Sequence, residues 1–240
     1  MHSDLTRPIP KTEFLSDRIR VAHPSGEPLV CMNDRFSCSS YYNSWPEIGG
    51  RPLPGSSPVI RCRRTVFEML EKAESLLPEG LRFLILDAYR SVDVQQALWD
   101  HYREIFAAEH PDASPEELDR ITLFCVARPS RDVLLPSLHN TGGAVDLTLI
   151  GADGKTLDMG TEFDEFSPRA WTCWYEDGED GSGVDITVRD NRRILYNVMT
   201  SAGFTNLPSE WWHYDYGDEK WALYTKNAPL YGGIPFTSQL

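Results

Sequence analysis

Two short segments, far apart in the chain, together contain two histidines and two carboxylates. The first reads SLHNTGGAVD and contains His139 and Asp146, and the second reads EWWH and contains Glu210 and His213. Catalytic zinc sites commonly use three protein ligands and leave one position for water. We therefore predict that His139, Asp146 and His213 bind one zinc ion. Glu210 then remains to move protons during a hydrolysis reaction.

The first segment has a backbone that can turn sharply. Gly142 and Gly143 lie between the histidine and the aspartate, and glycine adopts conformations that are closed to other residues. A histidine on a loop and an aspartate on the next strand can therefore converge on one ion. Strand alternation over 144–150 directs Asp146 away from the apolar side chains. Taken alone, this segment also fits a loop histidine beside an ordinary hydrogen-bonded aspartate.

The second segment requires a bend. Glu210 and His213 differ in parity, so an ideal strand would direct their side chains to opposite faces. A bend at Trp211 and Trp212, or a glutamate placed just before the strand, would bring both side chains to one site. We interpret the two tryptophans as packing residues and not as a substrate platform. Bulky rings beside a metal also limit the access of water.

Composition and charge exclude several classes of partner. The chain has 240 residues, which is enough for one sizeable core. It contains 23 Lys and Arg against 36 Asp and Glu, and its formal charge of -13 repels nucleic acid phosphates and anionic membrane surfaces. No run of about eighteen apolar residues occurs, and the first residues lack the pattern of a secretory signal. We expect a cytoplasmic protein; a periplasmic location is less favoured.

The five cysteines form an odd set without a CxxC pair. Neither a disulfide framework nor a thiolate zinc site is predicted from this spacing. We expect reduced thiols that pack as small hydrophobic residues. None of them is proposed as a nucleophile.

Hydrophobic periodicity and capping residues predict the elements that position these groups. Apolar residues at helical spacing, followed by Pro78 and Gly80, predict a helix over 63–77. A continuous apolar run predicts a buried strand over 81–88. The same reasoning predicts a helix capped by Ser91, a helix from Ser114 to about residue 126, a strand over 144–150, a hairpin turn over 151–154, a last helix from about 190 to 202, and a strand over 211–216 followed by a proline-containing tail.

The remaining segments are expected to wrap around this framework. Prolines interrupt any period in the first sixty residues, but the aromatic residues there predict ordered wrapping and not a floppy tail. We interpret the acidic stretch over 176–183 as a surface loop. No repeat or compositional break divides the chain. We therefore predict a single α+β domain over residues 1–240.

The joint pattern resembles the zinc D-alanyl-D-alanine dipeptidases of the vancomycin-resistance type, within the broader D,D-peptidase and hedgehog-like zinc fold. That family carries SxHxxGxAxD followed by ExWH. The matching residues here are Ser137, His139, Gly142, Ala144 and Asp146, and then Glu210, Trp212 and His213. The segments DAYR at 87–90 and DMGTEFD at 158–164 are also similar to family signatures and occur in the expected order. The resemblance covers roughly residues 60–216.

The resemblance implies a mainly antiparallel central sheet flanked by helices. It implies one zinc ion per chain, bound by His139, Asp146 and His213, with Glu210 as the catalytic base. These roles agree with those argued above from the residue types.

Further roles come from the resemblance alone. It implies that Arg90 lies near the scissile carbonyl and stabilises the oxyanion, although an isolated arginine here would also fit a salt bridge to Asp87. It implies that Asp164 faces the free ammonium of a dipeptide, and that Ser137 contacts the substrate. Ser91 stands where relatives often have proline, which puts the shape of the substrate pocket in question more than the metal site.

The resemblance implies hydrolysis of the small dipeptide D-Ala-D-Ala to free D-alanine. One alternative is another zinc peptidase of the same fold, a D,D- or L,D-carboxypeptidase that acts on peptidoglycan stem peptides. Asp164 discriminates between them, because only a dipeptidase needs a counter-charge for a free amino terminus. A zinc-stabilised binding module without catalysis is a third interpretation, and the presence of Glu210 and Arg90 argues against it.

Overall fold

Seven strands and six α-helices form in the residues that the structure describes. The structure is a computed structural model, and it describes residues 4–177 and 185–235. The strands are β1 (Leu29–Cys31), β2 (Ser37–Cys38), β3 (Arg61–Arg63), β4 (Arg82–Asp87), β5 (Ala144–Ile150), β6 (Thr205–Asn206) and β7 (His213–Asp215). The helices are α1 (Arg64–Glu74), α2 (Val92–Glu109), α3 (Pro115–Cys125), α4 (Trp174–Asp177), α5 (Ile186–Ala202) and α6 (Glu219–Thr225).

The predicted alternating strand over 144–150 forms β5, the middle strand of a five-stranded sheet in the order β2-β4-β5-β7-β6. Every residue of β5 is buried, as expected for a strand covered on both faces. The pairs β4–β5, β5–β7 and β6–β7 are antiparallel, and β2 runs parallel to β4 at one edge. The predicted mainly antiparallel sheet with flanking helices is thus confirmed.

The main core lies between this sheet and the helices α1 and α5. Val66 and Leu70 of α1 and Val198 of α5 are fully buried, and they belong to the same cluster as Phe83 and Leu147 of the sheet. Burial of one such side chain contributes about 1.5–3 kcal/mol relative to exposure. This packing fixes the strands whose ends carry the polar residues.

A second core attaches the N-terminal part of the chain to α2. Tyr42 and Trp45 pack with Val94, Leu98 and Tyr102 of that helix. Phe36, Tyr42 and Trp45 are buried, in agreement with the predicted ordered wrapping, whereas Phe14 is exposed. Tyr42 is brought to the end of the sheet where the polar residues cluster.

The capping residues predicted from the sequence are found at the helix ends. Ser91 accepts a hydrogen bond from the Val94 N–H and begins α2. Ser114 and Glu117 form a reciprocal capping box at the start of α3. Gly203, with a φ of 112°, ends α5 in the left-handed region. These contacts satisfy backbone groups that a helix leaves without partners at its ends.

Residues 1–60 contain more regular structure than the sequence predicts. β1 pairs with β3 in a separate two-stranded sheet, and β2 adds to the edge of the main sheet. Strands of two or three residues are too short to show an alternating pattern, so their formation depends on the partner strand.

Several boundaries differ from those predicted, and α1 ends at Glu74 and not at residue 77. α5 begins before residue 190, because Asp185 caps it by accepting hydrogen bonds from the Thr187 and Val188 N–H groups. The strand expected over 211–216 is restricted to β7, since residues 211–212 form a turn. Residues 178–183 of the acidic stretch, interpreted as a surface loop, lie outside the described residues.

The prediction that no helix follows residue 202 is wrong. α6 lies in the segment interpreted as a tail, and Asp218 caps it by accepting from the Lys220 and Trp221 N–H groups. Seven residues are too few to display a helical period, so the sequence pattern alone does not reveal this helix.

All five cysteines lie in the described residues and none forms a disulfide, in agreement with the prediction of reduced thiols. Within the described ranges, no helix combines the length and the apolar composition needed to cross a bilayer.

Candidate active site

Three neighbouring strands each place one polar residue in a single row across the sheet. Asp146 of β5 lies directly opposite His213 of β7, and it also lies opposite Asp87 of β4. Residues that face each other across antiparallel strands project from the same side of the sheet. Strand register therefore brings together residues that are far apart in sequence.

A β-bulge in β4 makes this row possible. Ile85 pairs with Leu147, but Asp87 and not Leu86 pairs with Asp146. In a regular ladder Leu86 would occupy that place, and the carboxylate of Asp87 would point to the other side of the sheet. The extra residue re-aims Asp87 toward the polar cluster, a common role for bulges beside active sites.

His139 reaches the cluster from a 3-10 helix, Leu138–Thr141, that precedes β5. Its Nδ1 lies 2.7 Å from the carbonyl oxygen of Ala88. A carbonyl oxygen only accepts, so Nδ1 carries a hydrogen and Nε2 is the ring nitrogen that remains for a metal. Nε2 lies 3.3 Å from Asp146 Oδ2.

The two glycines after His139 have separate structural roles. Gly142 adopts a φ of 72° and ends the 3-10 helix. Gly143 has no space for a side chain, since an added Cβ would collide with the carbonyl oxygen of Tyr216 and approach Thr141 Oγ1 at 3.1 Å. The sharp turn predicted for this segment is therefore confirmed.

Gly142→Ala should lower the free energy of unfolding more than Gly154→Ala. The φ angles are 72° and 78°, so both alanines meet the same backbone cost of about 1–2 kcal/mol. At Gly142 the new Cβ would also lie 2.6 Å from Leu29 Cδ2, whereas Gly154 has nothing within 4 Å. Chemical denaturation of the two variants measures the difference. Equal losses would show that the contact with Leu29 relaxes without cost.

His213 completes the set of possible ligands. Its Nδ1 lies 2.9 Å from Asp146 Oδ1, and its Nε2 lies 2.8 Å from Asp215 Oδ1. Its ring centroid is 4.9 Å from that of His139, with the ring planes at 83°. Burial would lower the pKa of His213, but Asp215 and Asp146 raise it well above its usual range.

The three side chains fit a zinc ion. His139, Asp146 and His213 are all buried, and each offers one ligand atom within 4.8 Å of the others. In a tetrahedron with bonds of about 2.0–2.1 Å, neighbouring ligand atoms lie about 3.3 Å apart. His139 Nε2 lies 3.3 Å from Asp146 Oδ2, and His213 Nδ1 lies 2.9 Å from Oδ1 of the same carboxylate, so the three groups are close enough to share one ion. Burial would raise the pKa of Asp146, but the two imidazoles hold it well below its usual range. The carboxylate is thus available as a ligand.

Glu210 lies beside this set because of the turn that follows it. Residues 211–212 form the bend that the parity of Glu210 and His213 requires. Glu210 Oε2 lies 3.8 Å from His213 Nδ1, and Asn206 Nδ2 donates to the Glu210 carbonyl at 3.0 Å. Withdrawal from solvent raises the pKa of Glu210, although the neighbouring histidines oppose that rise. A carboxyl group with a raised pKa both accepts and returns protons readily.

Arg90 is held rigidly at the edge of the cluster. Asp87 Oδ2 accepts from its Nε at 2.8 Å and lies 2.7 Å from its Nη2, and Gln95 Oε1 accepts from its Nη1 at 2.9 Å. The guanidinium also lies 4.5 Å from the ring centroid of Tyr42. Its Nη2 is 3.8 Å from Asp146 Oδ2. The salt bridge to Asp87 is therefore present, and it directs Arg90 toward the possible ligands.

Asp164 has an unusual backbone conformation for a residue other than glycine, with a φ of 65°. Its Oδ2 accepts a hydrogen bond from the Tyr42 hydroxyl at 3.1 Å. Burial raises the pKa of Asp164 to about 7, and the cation of Arg90 opposes that rise. Strained residues of this kind cluster at ligand sites, where the surrounding structure holds them in place.

The seven residues selected from the sequence all line one cavity of about 100 Å³. They are Arg90, Ser137, His139, Asp146, Asp164, Glu210 and His213. Several waters fit in this volume, but a folded protein segment does not. The Oγ atom of Ser137 is buried and has no hydrogen-bond partner among the described residues.

Other residues of the wall were not selected from the sequence. Tyr42 bridges Arg90 and Asp164, and Gln95 fixes Arg90 and also donates to the Ala127 carbonyl at 2.7 Å. Gln95 is a polar residue on the otherwise apolar inner face of α2, which is the one sequence feature that could have indicated it. The remaining wall residues are Leu98, Tyr102, Cys125, Val126, Ala127, Leu138, Phe166, Leu207 and Trp212.

The two tryptophans beside Glu210 pack as predicted. Trp211 and Trp212 are 2% and 1% exposed. Trp211 Nε1 donates to Thr161 Oγ1 at 2.8 Å, and Trp212 packs against Phe163 with ring centroids 5.3 Å apart. Trp212 also forms part of the cavity wall.

Comparison with known proteins finds similarity to D-alanyl-D-alanine dipeptidases. Residues 29–230 match the Peptidase_M15 family model, described as D-ala-D-ala dipeptidase. A D-alanyl-D-alanine dipeptidase of Synechocystis sp. is 34% identical over 226 residues, which is 88% of this chain and 91% of that protein. A D-alanyl-D-alanine dipeptidase of Escherichia coli is 33% identical over 136 residues, which is 57% of this chain and 55% of that protein. A D-alanyl-D-alanine dipeptidase of Enterococcus faecium is 26% identical over 186 residues, which is 74% of this chain and 84% of that protein.

Among solved structures, the chain is similar to VanYB in complex with D-alanine-D-alanine, with a TM-score of 0.43 and 18% identity over 73% of this chain and 88% of that one. The family match starts well before residue 60, so the similarity extends further into the N-terminal part than the sequence motifs indicate. The chain is an enzyme, and it belongs to the M15 metallopeptidase family of D-alanyl-D-alanine dipeptidases.

Proposed function

We propose that this metallopeptidase hydrolyses free D-Ala-D-Ala to D-alanine, with one zinc ion bound by His139, Asp146 and His213. The observation that carries the proposal is the arrangement of opposite charges around one small cavity. Arg90 lies on the side of the possible metal ligands, and Asp164 provides a carboxylate linked to it through Tyr42. A dipeptide zwitterion has a carbonyl and an ammonium group that such an arrangement would bind.

Zinc at this site would activate water for attack and polarise the carbonyl of the substrate. The two imidazoles keep their ring orientation through the Ala88 carbonyl and the Asp215 carboxylate. Glu210 accepts a proton from the attacking water and later gives a proton to the leaving amine. Its raised pKa suits both transfers.

Arg90 donates hydrogen bonds to the oxygen on which negative charge develops. Its contacts with Asp87 and Gln95 hold the guanidinium in place before the substrate arrives, so little reorganisation is required during the reaction. The partner-free hydroxyl of Ser137 is available to hydrogen bond a polar group of the substrate.

Asp164 selects substrates with a free amino terminus by pairing with the ammonium group. An adjacent cation favours the ionised form of a carboxyl group whose pKa is near neutrality. An acyl group on the substrate nitrogen removes this charge and also requires space in a cavity of about 100 Å³.

Asp164→Asn should raise KM for free D-Ala-D-Ala by about 10- to 100-fold. This range corresponds to the loss of one hydrogen bond to a charged group, about 1.5–3 kcal/mol. Asparagine tolerates the left-handed backbone at this position, so the variant changes charge and not conformation. Steady-state kinetics on free and N-acetylated D-Ala-D-Ala measure the effect, with the exposed Asp153→Asn as the matched control.

Wild-type enzyme should cleave the free dipeptide far better than the acetylated one, and Asp164→Asn should reduce that preference. Equal cleavage of the two substrates by the wild type would contradict the dipeptidase assignment. It would identify a D,D- or L,D-carboxypeptidase instead. A panel with D,D, L,D and L,L dipeptides establishes the stereochemical class in the same assay.

A further inference from the structure

His213 lies within hydrogen-bond distance of two carboxylates, and only one of them is a proposed metal ligand. Its Nδ1 faces Asp146, whereas its Nε2 lies 2.8 Å from Asp215 Oδ1. Asp215 and His213 are two residues apart on β7, so their side chains project from the same face of the strand. Asp215 is 0% exposed and does not line the cavity.

A buried carboxylate is costly unless it is hydrogen-bonded or paired with a cation. The Nε2 contact with His213 provides this for Oδ1 of Asp215. If a metal binds Nδ1 of His213, the neutral ring has a single N–H group, which is on Nε2. The Asp215 carboxylate only accepts, so it favours this tautomer. The hydrogen bond between Asp215 and His213 therefore specifies which ring nitrogen binds the metal.

The other side of Asp215 is closed by Asp218, which is also 0% exposed. Asp218 Oδ1 accepts from the Lys220 and Trp221 N–H groups, each at 3.0 Å, and so anchors the start of α6. The Oδ2 atoms of both aspartates are buried, and neither has a hydrogen-bond partner among the described residues. Burial, and then the charge of Asp215, raise the pKa of Asp218 well above its usual range.

The two histidines of the site are thus held in opposite ways. The Ala88 carbonyl occupies Nδ1 of His139 and leaves Nε2 for a metal, whereas Asp215 occupies Nε2 of His213 and leaves Nδ1. A carbonyl is a neutral acceptor and a carboxylate is a charged one. The carboxylate makes the opposite nitrogen a stronger electron donor.

We propose that Asp215 is a positioning residue for the metal centre, and that its carboxylate fixes the tautomer and orientation of His213 and strengthens zinc binding. This inference rests on the zinc site of the proposed function. Asp215 itself contacts neither substrate nor metal in this proposal.

The test is the zinc affinity of Asp215→Asn, measured by competition with a chromophoric chelator. Asparagine has nearly the same shape but lacks the charge. We expect affinity to fall by about 10- to 100-fold, as is typical when such a partner of a metal-binding histidine is lost. Asp218→Asn is the matched control, because it leaves the carboxylate on His213, and its zinc affinity should stay close to that of the wild type.

Thermal unfolding with and without zinc separates positioning from general stability. Asp215→Asn should reduce the stabilisation that zinc provides, since a tenfold weaker affinity removes about 1.4 kcal/mol of it at saturating metal. The metal-free protein should lose less stability than the zinc-bound form, because the amide oxygen of asparagine still accepts from Nε2 of His213. An equal loss in both forms would show a merely structural role and overturn the proposal.

Nitrogen-15 NMR of the histidine side chains tests the proposal in the wild-type protein, whether or not the variant folds. In the zinc-bound form, His213 should carry its hydrogen on Nε2 and bind metal through Nδ1, and His139 should show the reverse. Metal on Nε2 of His213, or normal zinc affinity in Asp215→Asn, would overturn the role of Asp215. A wild-type protein that binds no zinc would instead contradict the proposed function.

Discussion

Glu210→Gln should lower kcat for D-Ala-D-Ala by about 10²- to 10⁴-fold while the protein still binds zinc. This range is what a positioned general acid–base group typically contributes. Glutamine preserves the shape of the side chain but neither takes up nor releases a proton at neutral pH. Glu210 lies 3.8 Å from Nδ1 of His213, close to the possible ligands without being part of the buried group of three. Steady-state kinetics and metal analysis of the same preparation measure both expectations.

Removing and restoring the metal shows whether Glu210 acts as a base or as a metal ligand. Chelation should abolish activity in the wild type, and added zinc should restore it. Glu210→Gln should bind zinc as tightly as the wild type and remain slow at any zinc concentration. Glu79→Gln, on the exposed surface, serves as the matched control and should be fully active. Normal turnover by Glu210→Gln would contradict the role of Glu210, and loss of zinc from this variant would place it among the ligands.

The elements predicted correctly are those with strong local signals. β5 has the predicted bounds, because a segment of alternating apolar and polar residues is followed by a glycine turn. The caps at Ser91 and Ser114 follow from side chains that bond to a backbone N–H only three residues away. Hydrogen bonds between residues so close in the chain can be predicted from the local sequence.

The elements that were missed depend on distant partners. β2 has two residues and exists because β4 offers an edge to which it can pair. The bulge between Ile85 and Asp87 is likewise a property of the pairing with β5. No short-range pattern predicts either feature, because the hydrogen bonds that define them are made with residues far along the chain.

The same distinction holds for the candidate site. Residue types and spacing were sufficient to select His139, Asp146 and His213, and the structure brings them together. The roles of Tyr42 and Asp215 could not be predicted, since each follows from a contact that forms only when the chain is folded. Types of ligand can be read from a sequence, whereas the residues that orient them require the tertiary structure.

Arg90→Lys should lower kcat by about 10²- to 10³-fold, with a much smaller change in KM. This range is typical for the loss of one donor to a developing oxyanion. Lysine keeps the positive charge, but a single ammonium lacks the planar fork that Asp87 and Gln95 hold in place. Kinetics at saturating substrate, with zinc content as a check, measure the effect. Arg61→Lys is the control, because Arg61 is exposed and lies outside the cavity.

The roles of Arg90 and Asp164 can be distinguished by comparing how each variant cleaves free and N-acetylated dipeptides. Loss of an interaction made mainly in the transition state lowers kcat for every substrate, whereas loss of one made equally in the ground state raises KM. Arg90→Lys should therefore slow the cleavage of free and N-acetylated dipeptides by the same factor. Asp164→Asn should affect only substrates that carry an ammonium group. If Arg90→Lys instead raised KM for the free dipeptide alone, Arg90 would act in binding the substrate and not in stabilising the oxyanion.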